Sequence, residues 1–294
     1  MTNWAQVLFN SAVTGSLYLL SAVALSLTYG LSGFPNFAHA ELMALGAYTG
    51  YFISTQLHLP FALSILCGFL ASGTLGLVSY KGIFGPLSRR GSSLIHLMIA
   101  SMAVGFIARY IIAEIWGWQS RSFNITWPGY DIGPVRVNLV WILPIIAALL
   151  AGISMHLVLT KSNIGKAIRA TSSNPQLALA SGINTSLVLL TAWFISGGLA
   201  GIAGLFYGAA TSLSPLMGWN ILLPIFAVTV LGGIGSFYGA IVAALIIGLA
   251  ENFGVVILTQ FGLSTDYRFA ISFIILIVVL LIKPEGLTRL FKGN

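Results

Sequence analysis

Residues 7–30 read VLFNSAVTGSLYLLSAVALSLTYG, a run without one Asp, Glu, Lys or Arg. At about 1.5 Å of rise per residue, such a helix outspans the roughly 30 Å hydrocarbon core of a bilayer. Residues 1–11 hold no Lys or Arg. Without a basic leader, this segment is expected to be a retained membrane helix and not a cleaved export signal.

The same reading extends along the chain. Further apolar runs fall at 37–57, 61–80, 94–116, 139–159, 187–210, 215–231, 240–258 and 269–282. Of the 294 residues, 57% are hydrophobic and only 6% charged, whereas soluble chains carry about 25% charged residues. The chain is therefore expected to be an all-α polytopic membrane protein. It should have about eight or nine transmembrane helices and form a single transmembrane permease domain over 1–294. Those spans use up the chain, leaving no room for an ATPase, and no G-x-x-x-x-G-K-[ST] phosphate loop occurs. Cys67 is the lone cysteine, so no intrachain disulfide forms.

A net charge of +7 would suggest a nucleic-acid partner in a soluble domain. Here no nucleic acid is expected, because the charge is grouped as the positive-inside bias requires: Lys81, Arg89 and Arg90; Lys161, Lys166 and Arg169; Lys283, Arg289 and Lys292. Placing these clusters in the cytoplasm puts the loops around Asp131 and Asp266 outside. Counting back gives nine crossings with the N-terminus outside. The count depends on 215–231, where Pro224 and the Gly232-Gly233 pair interrupt the run. A kinked full crossing is expected there; the alternative is a re-entrant half-helix.

Irregular backbone at membrane depth survives only against protein or water. Two Gly-rich breaks, 30–36 and 231–239, each lie between an inward and an outward span, as a weak parallel repeat would place them. Gly197 and Gly201 have the small-xxx-small spacing of close helix packing.

The longest polar stretch is the loop 160–184. Asn174 followed by Pro175 reads as a helix start, and Gly182 as its left-handed stop. The enclosed helix, 175–181, is too short to hold without a partner surface. Ala178 and Ala180 would permit close approach to another protein, and Lys166 and Arg169 could orient it. The plainer reading is a tight connector lying on the membrane.

Within the spans, ionisable groups are costly and so are candidates for function. His39 and Glu41 follow Asn36 at the start of the second span, where a satisfied helix terminus near the cytoplasmic interface competes with a role in the conduit. Arg109 and Glu114 are five residues apart and should meet different neighbours. Glu251 lies well along the eighth span. The candidate pathway residues are Asn36, His39, Glu41, Gly233, Ser236 and Glu251. Scattered His residues and the lone Cys point to no metal site and no catalytic residue.

Four motifs in order carry a resemblance covering about residues 7–288: Asn36-Phe37-Ala38-His39-Ala40-Glu41-Leu42, the loop 165–183, Val230-Leu231-Gly232-Gly233-Ile234-Gly235-Ser236, and Pro284-Glu285-Gly286-Leu287. Together they resemble the branched-chain amino acid ABC importer permeases, and within them the shorter, LivH-type member. Ala40 departs from the family's usual Gly. The resemblance implies a homologous second permease (LivM-type), two cytoplasmic ABC ATPase subunits that bind ATP and Mg, an external substrate-binding protein, and a bacterial or archaeal plasma (inner) membrane. No cofactor is expected on this chain. The resemblance also implies an ATPase-coupling role for the loop 160–184, here through Gly165, Arg169, Ala170, Asn174, Pro175, Ala178, Gly182 and Ile183. Rival readings are a urea or short-chain amide importer permease, a stand-alone secondary transporter or channel, and a structural membrane subunit.

Overall fold

The computed structural model describes residues 3–123, 127–282 and Gly286. The basic residues Lys283, Arg289 and Lys292, and the 284–287 motif apart from Gly286, lie outside the described residues. Among the described residues the fold is all-α apart from one two-stranded hairpin. The first helix, α1 (Trp4–Ser32), is followed by α2 (His39–Tyr51), which runs on as a π-helical turn, Phe52–Gln56. Next come α3 (Phe61–Ser79), a second π-helical turn Tyr80–Phe84, and α4 (Gly85–Arg89), which together form one rod, and then α5 (Leu94–Trp116). Strands β1 (Gly129–Ile132) and β2 (Val135–Asn138) precede α6 (Leu139–Lys161). The chain continues through α7 (Asn163–Ser173), α8 (Pro175–Ala180), α9 (Thr185–Ala210), α10 (Met217–Gly232), α11 (Phe237–Gln260) and α12 (Arg268–Ile282).

Among the described residues, seven helical rods are long and apolar enough to cross a bilayer, and α10 is a shorter apolar helix. Long-range contacts show the relative directions of α1, α9 and α11. Ser26 Oγ accepts from Gly235 N, and Asn252 Nδ2 donates to Thr14 Oγ1, so α11 runs antiparallel to α1. Ser196 Oγ donates to the carbonyl of Ala24 and Trp193 Nε1 to Ser32 Oγ, which sets α9 antiparallel to α1 as well. Gln6 pairs with β2 through both its side-chain oxygen and nitrogen (2.8 and 3.2 Å to the Arg136 backbone). The N-terminus is thus on the hairpin side, opposite Lys161, Lys166 and Arg169, as the charge pattern requires.

Two legs differ from the expectation in the same way. The leg at 215–231 is not a kinked full-length helix: α10 has 16 residues, about 24 Å, and continues through Pro224. Its outer part is the non-helical segment 211–216, returning from α9, where the fully buried Leu213 exchanges backbone hydrogen bonds with Arg121 (2.9 and 2.8 Å). The second leg is broken at its other end. Asn36, His39 and Glu41 do not sit at the cytoplasmic interface, because His39 lies against Ser21, 3.0 Å away, about 17 Å along α1 from its inner end. The starts of α2 and α10 meet within the bundle, where a Cβ on Gly218 would strike the carbonyl of Ala40.

Small residues make this crowding feasible. Where α2, α3 and α9 cross, a side chain on Gly46 would collide with the Gly201 backbone, and one on Gly197 with the carbonyl of Ser72. Without water to drive helices together in lipid, such backbone proximity supplies the packing that holds them. The small-xxx-small spacing read from the sequence is therefore structural.

Candidate functional site

The loop 160–184 forms a folded knob at the inner end of the bundle. Its first half was not anticipated: α7 is a full helix, started by Ser162, whose Oγ accepts from Gly165 N at 2.9 Å. Gly165 is required there, because any side chain would run into the carbonyl of Val158 and the Leu159 backbone at the end of α6. Arg169 Nη1 donates to the Leu159 carbonyl, and Ser172 Oγ donates to the Gly30 carbonyl at 2.8 Å, tying α7 to both α6 and α1. Ala170 is half-buried on the same helix.

Asn174 then starts α8, accepting from Leu177 N at 3.0 Å, with Pro175 at the first position. The helix ends one residue sooner than expected, at Ala180, with Ser181 as its cap. Gly182, at φ +83°, lets Ile183 N return to the Ala178 carbonyl at 3.0 Å. Ala178 does not face outward: it is 4% exposed, packed against its own chain. Leu177 (64%) and Leu179 (62%), on either side of it in sequence, are the exposed leucines and point out to different sides of the helix. Two leucines held out by a capped two-turn helix are an apolar contact surface of the kind a partner covers.

Asn36, His39 and Glu41 assemble with residues the sequence did not link to them. Asn36 Oδ1 accepts from Ala38 N, and Ser101 Oγ of α5 accepts from Phe37 N, so both residues satisfy the irregular backbone before α2. Arg109 Nε donates to Glu41 Oε1 at 2.9 Å, and its Nη2 makes a second bond to the same oxygen. The guanidinium also lies 4.8 Å from the Trp219 ring of α10 and 5.4 Å from Phe106. One arginine thereby joins α2, α5 and α10; Glu41 is buried and Trp219 half-buried, while Phe106 is exposed. Asn36 Nδ2, His39 Nδ1 and Glu41 Oε2 have no hydrogen-bond partner among the described residues. Glu114 is exposed and takes no part.

Gly233 and Ser236 belong to the second break. Gly233 (φ +86°) and Gly235 (φ +79°) turn the chain, and Ser236 Oγ accepts from Gly239 N to start α11. The two breaks meet: a Cβ on Gly30 would lie 3.7 Å from the Gly235 Cα. Beside them a cavity of about 410 Å³ reaches Arg169 and Ser172 of α7 and Ser236, so the knob touches both breaks. Glu251 is elsewhere, in the outer half, accepting from Tyr18 Oη at 2.7 Å and from Ser272 Oγ. The sequence-selected residues therefore fall into an inner knob with its adjoining breaks, a central ion-pair cluster, and a separate outer carboxylate.

Comparison with known proteins gives a consistent assignment. A family model described as "Branched-chain amino acid transport system / permease component" matches residues 7–280. A probable branched-chain amino acid transport permease protein LivH of Methanocaldococcus jannaschii is 31% identical over 96% of this chain and 91% of its own. The Escherichia coli high-affinity branched-chain amino acid transport system permease protein LivH is 29% identical, over 96% of this chain and 94% of its own. Among solved structures, PsaBC from Streptococcus pneumoniae in complex with Fab shares the fold, with a TM-score of 0.53 at 15% identity, covering 97% of this chain and 94% of that one.

Proposed function

The chain belongs to the family of branched-chain amino acid transport permease components, and from that membership we propose how it works. It is one half of the membrane conduit of an ATP-driven importer for branched-chain, hydrophobic or other neutral amino acids. A homologous LivM-type permease completes the conduit, an external binding protein delivers substrate, and two cytoplasmic ATPase subunits bind ATP and Mg and hydrolyse ATP. This chain carries no catalytic residue on this reading. The setting is a bacterial or archaeal plasma membrane.

The observation that carries the coupling role is the α8 knob. Leu177 and Leu179 are turned out by a helix capped at both ends, while α7 fixes that helix to α1 and α6. A force applied to α8 thus reaches the two inner breaks through Ser172 and the Gly30 carbonyl. Alternating access then follows from movement of helices whose half-length starts already meet inside the bundle. The relatives' names favour amino acids over urea or short-chain amides. A stand-alone secondary transporter would have no need of the exposed knob.

Proteoliposomes holding this chain with its partners, supplied with the binding protein outside and ATP inside, are expected to accumulate leucine, isoleucine or valine and to leave urea behind. Leucine accumulation that is indifferent to ATP would reject the coupled reading, and accumulation of urea alone would reject the cargo.

A further inference from the structure

The outer half of the bundle contains a second cavity of about 430 Å³, walled by α1, α6, α9, α11, α12 and β2. That size is in the range of small-molecule sites, about 300–1,000 Å³. Gln6, Arg136 and Thr211 stand at its outer end, and the buried Val13, Leu17 and Tyr18 lie deepest. Since α1 enters from the outside, the cavity descends from the external face toward the middle of the membrane.

Its lining has one sign of charge. Arg136 and Arg268 both line it, and neither has a carboxylate within ion-pair distance among the described residues. Glu251 lies behind the wall, 2% exposed and engaged by the Tyr18 and Ser272 hydroxyls, so it offsets at most one of the two guanidinium groups. Arg268 rests on the Phe269 ring, 4.6 Å from its centre. Neutral groups occupy the same space: the Tyr207 hydroxyl, which the Arg268 and Thr211 side chains already engage, and Asn252 Oδ1, an acceptor whose amide nitrogen is committed to Thr14 Oγ1 and the Gly248 carbonyl. Val13, Leu17, Trp141 and Ala210 supply an apolar side.

Guanidinium groups at one edge, the Asn252 Oδ1 acceptor beside them and an apolar wall match a small molecule with an acid group, a hydrogen-bonding cation and a short hydrocarbon chain. We propose that this cavity binds an aliphatic α-amino acid within the single chain, its carboxylate on Arg268 and Arg136 and its side chain against Leu17 and Trp141. The inference rests on the amino acid cargo assigned above. A lipid phosphate would also suit the two arginines, but would leave the apolar wall and the Asn252 acceptor without a role.

The test uses the assembled transporter in lipid nanodiscs with Cys67→Ser and either Thr14→Cys or Ala210→Cys, two positions that line the cavity. An anionic methanethiosulfonate added outside is expected to label both thiols, and saturating L-leucine to slow that labelling. Arg268→Gln should slow labelling about tenfold, as loss of a focusing charge does, and should abolish leucine protection. Failure to label either position, labelling indifferent to leucine, or protection by glycerol 3-phosphate alone would overturn the site. ATP-driven leucine uptake by the wild-type complex, measured in parallel, separates the two readings. Uptake without protection removes only this site, whereas absence of leucine uptake removes the cargo assignment on which it rests.

Discussion

Exchange of Arg109 for Met is expected to destabilise the folded chain by about 3–5 kcal/mol, the penalty for leaving a buried charge without its partner. Glu41 is 1% exposed, and its Oε1 takes both hydrogen bonds from Arg109. Removal of the guanidinium strands that carboxylate at membrane depth, and also loses the stacking on Trp219 that ties in α10. The double variant Glu41→Met, Arg109→Met should recover most of the loss, because a neutral apolar pair leaves no charge to solvate. Thermal melting in detergent, followed by size exclusion, measures both. If the double variant were as unstable as the two single losses added together, the ion pair would not be what holds these helices.

The second large effect is at the knob. Replacing Leu177 and Leu179 by Asp should change the stability of the isolated chain little, within about 0.5 kcal/mol, since both side chains are exposed. The same pair should abolish co-purification of the ATPase subunits and lower ATP-driven uptake by more than tenfold, about the loss expected on removing anchor side chains from an interface. Ala178→Asp separates the two roles. Ala178 is buried against its own chain, so that variant should disturb the folding of the knob, detectable as faster hydrogen exchange over α7 and α8. Retention of the ATPase by the Leu177, Leu179 variant would place the contact on another surface.

Much of the architecture was legible because lipid constrains sequence strongly. Long apolar runs poor in charge lead to a polytopic helical bundle, and the described residues form one, with seven helices long and apolar enough to cross a bilayer and α10 a shorter apolar one. Pairing of Gln6 with β2 puts the N-terminus at the opposite end of the bundle from Lys161, Lys166 and Arg169, the arrangement the charge clusters lead one to expect. The start and stop of α8 were local signals as well, since Asn174, Pro175 and Gly182 act on backbone within a turn of themselves. By the same logic α7 could have been read: Ser162 precedes Ile164, Ala167 and Ile168, which recur at helical spacing.

What remained hidden depends on contacts between distant segments. Nothing near His39 reveals that α2 begins opposite Ser21, because that depth is set by the register of one helix against another. Glu41 and Arg109 are 68 positions apart, so their pairing has no local trace. The inward turn of Ala178 likewise follows from how α8 lies on its neighbours. The small Ala178 serves internal packing and not contact with a partner, while the larger leucines are exposed.

On the proposed function, α8 is the handle by which a motor subunit moves this permease. Disulfide trapping tests it most directly: Leu179→Cys in a Cys67→Ser background, paired with single cysteines on the surface of the ATPase subunit. A crosslink to the ATPase that forms in the assembled transporter and stops ATP-driven leucine uptake until it is reduced is the predicted result. Full uptake with no crosslink from Leu179→Cys to any ATPase position would contradict it.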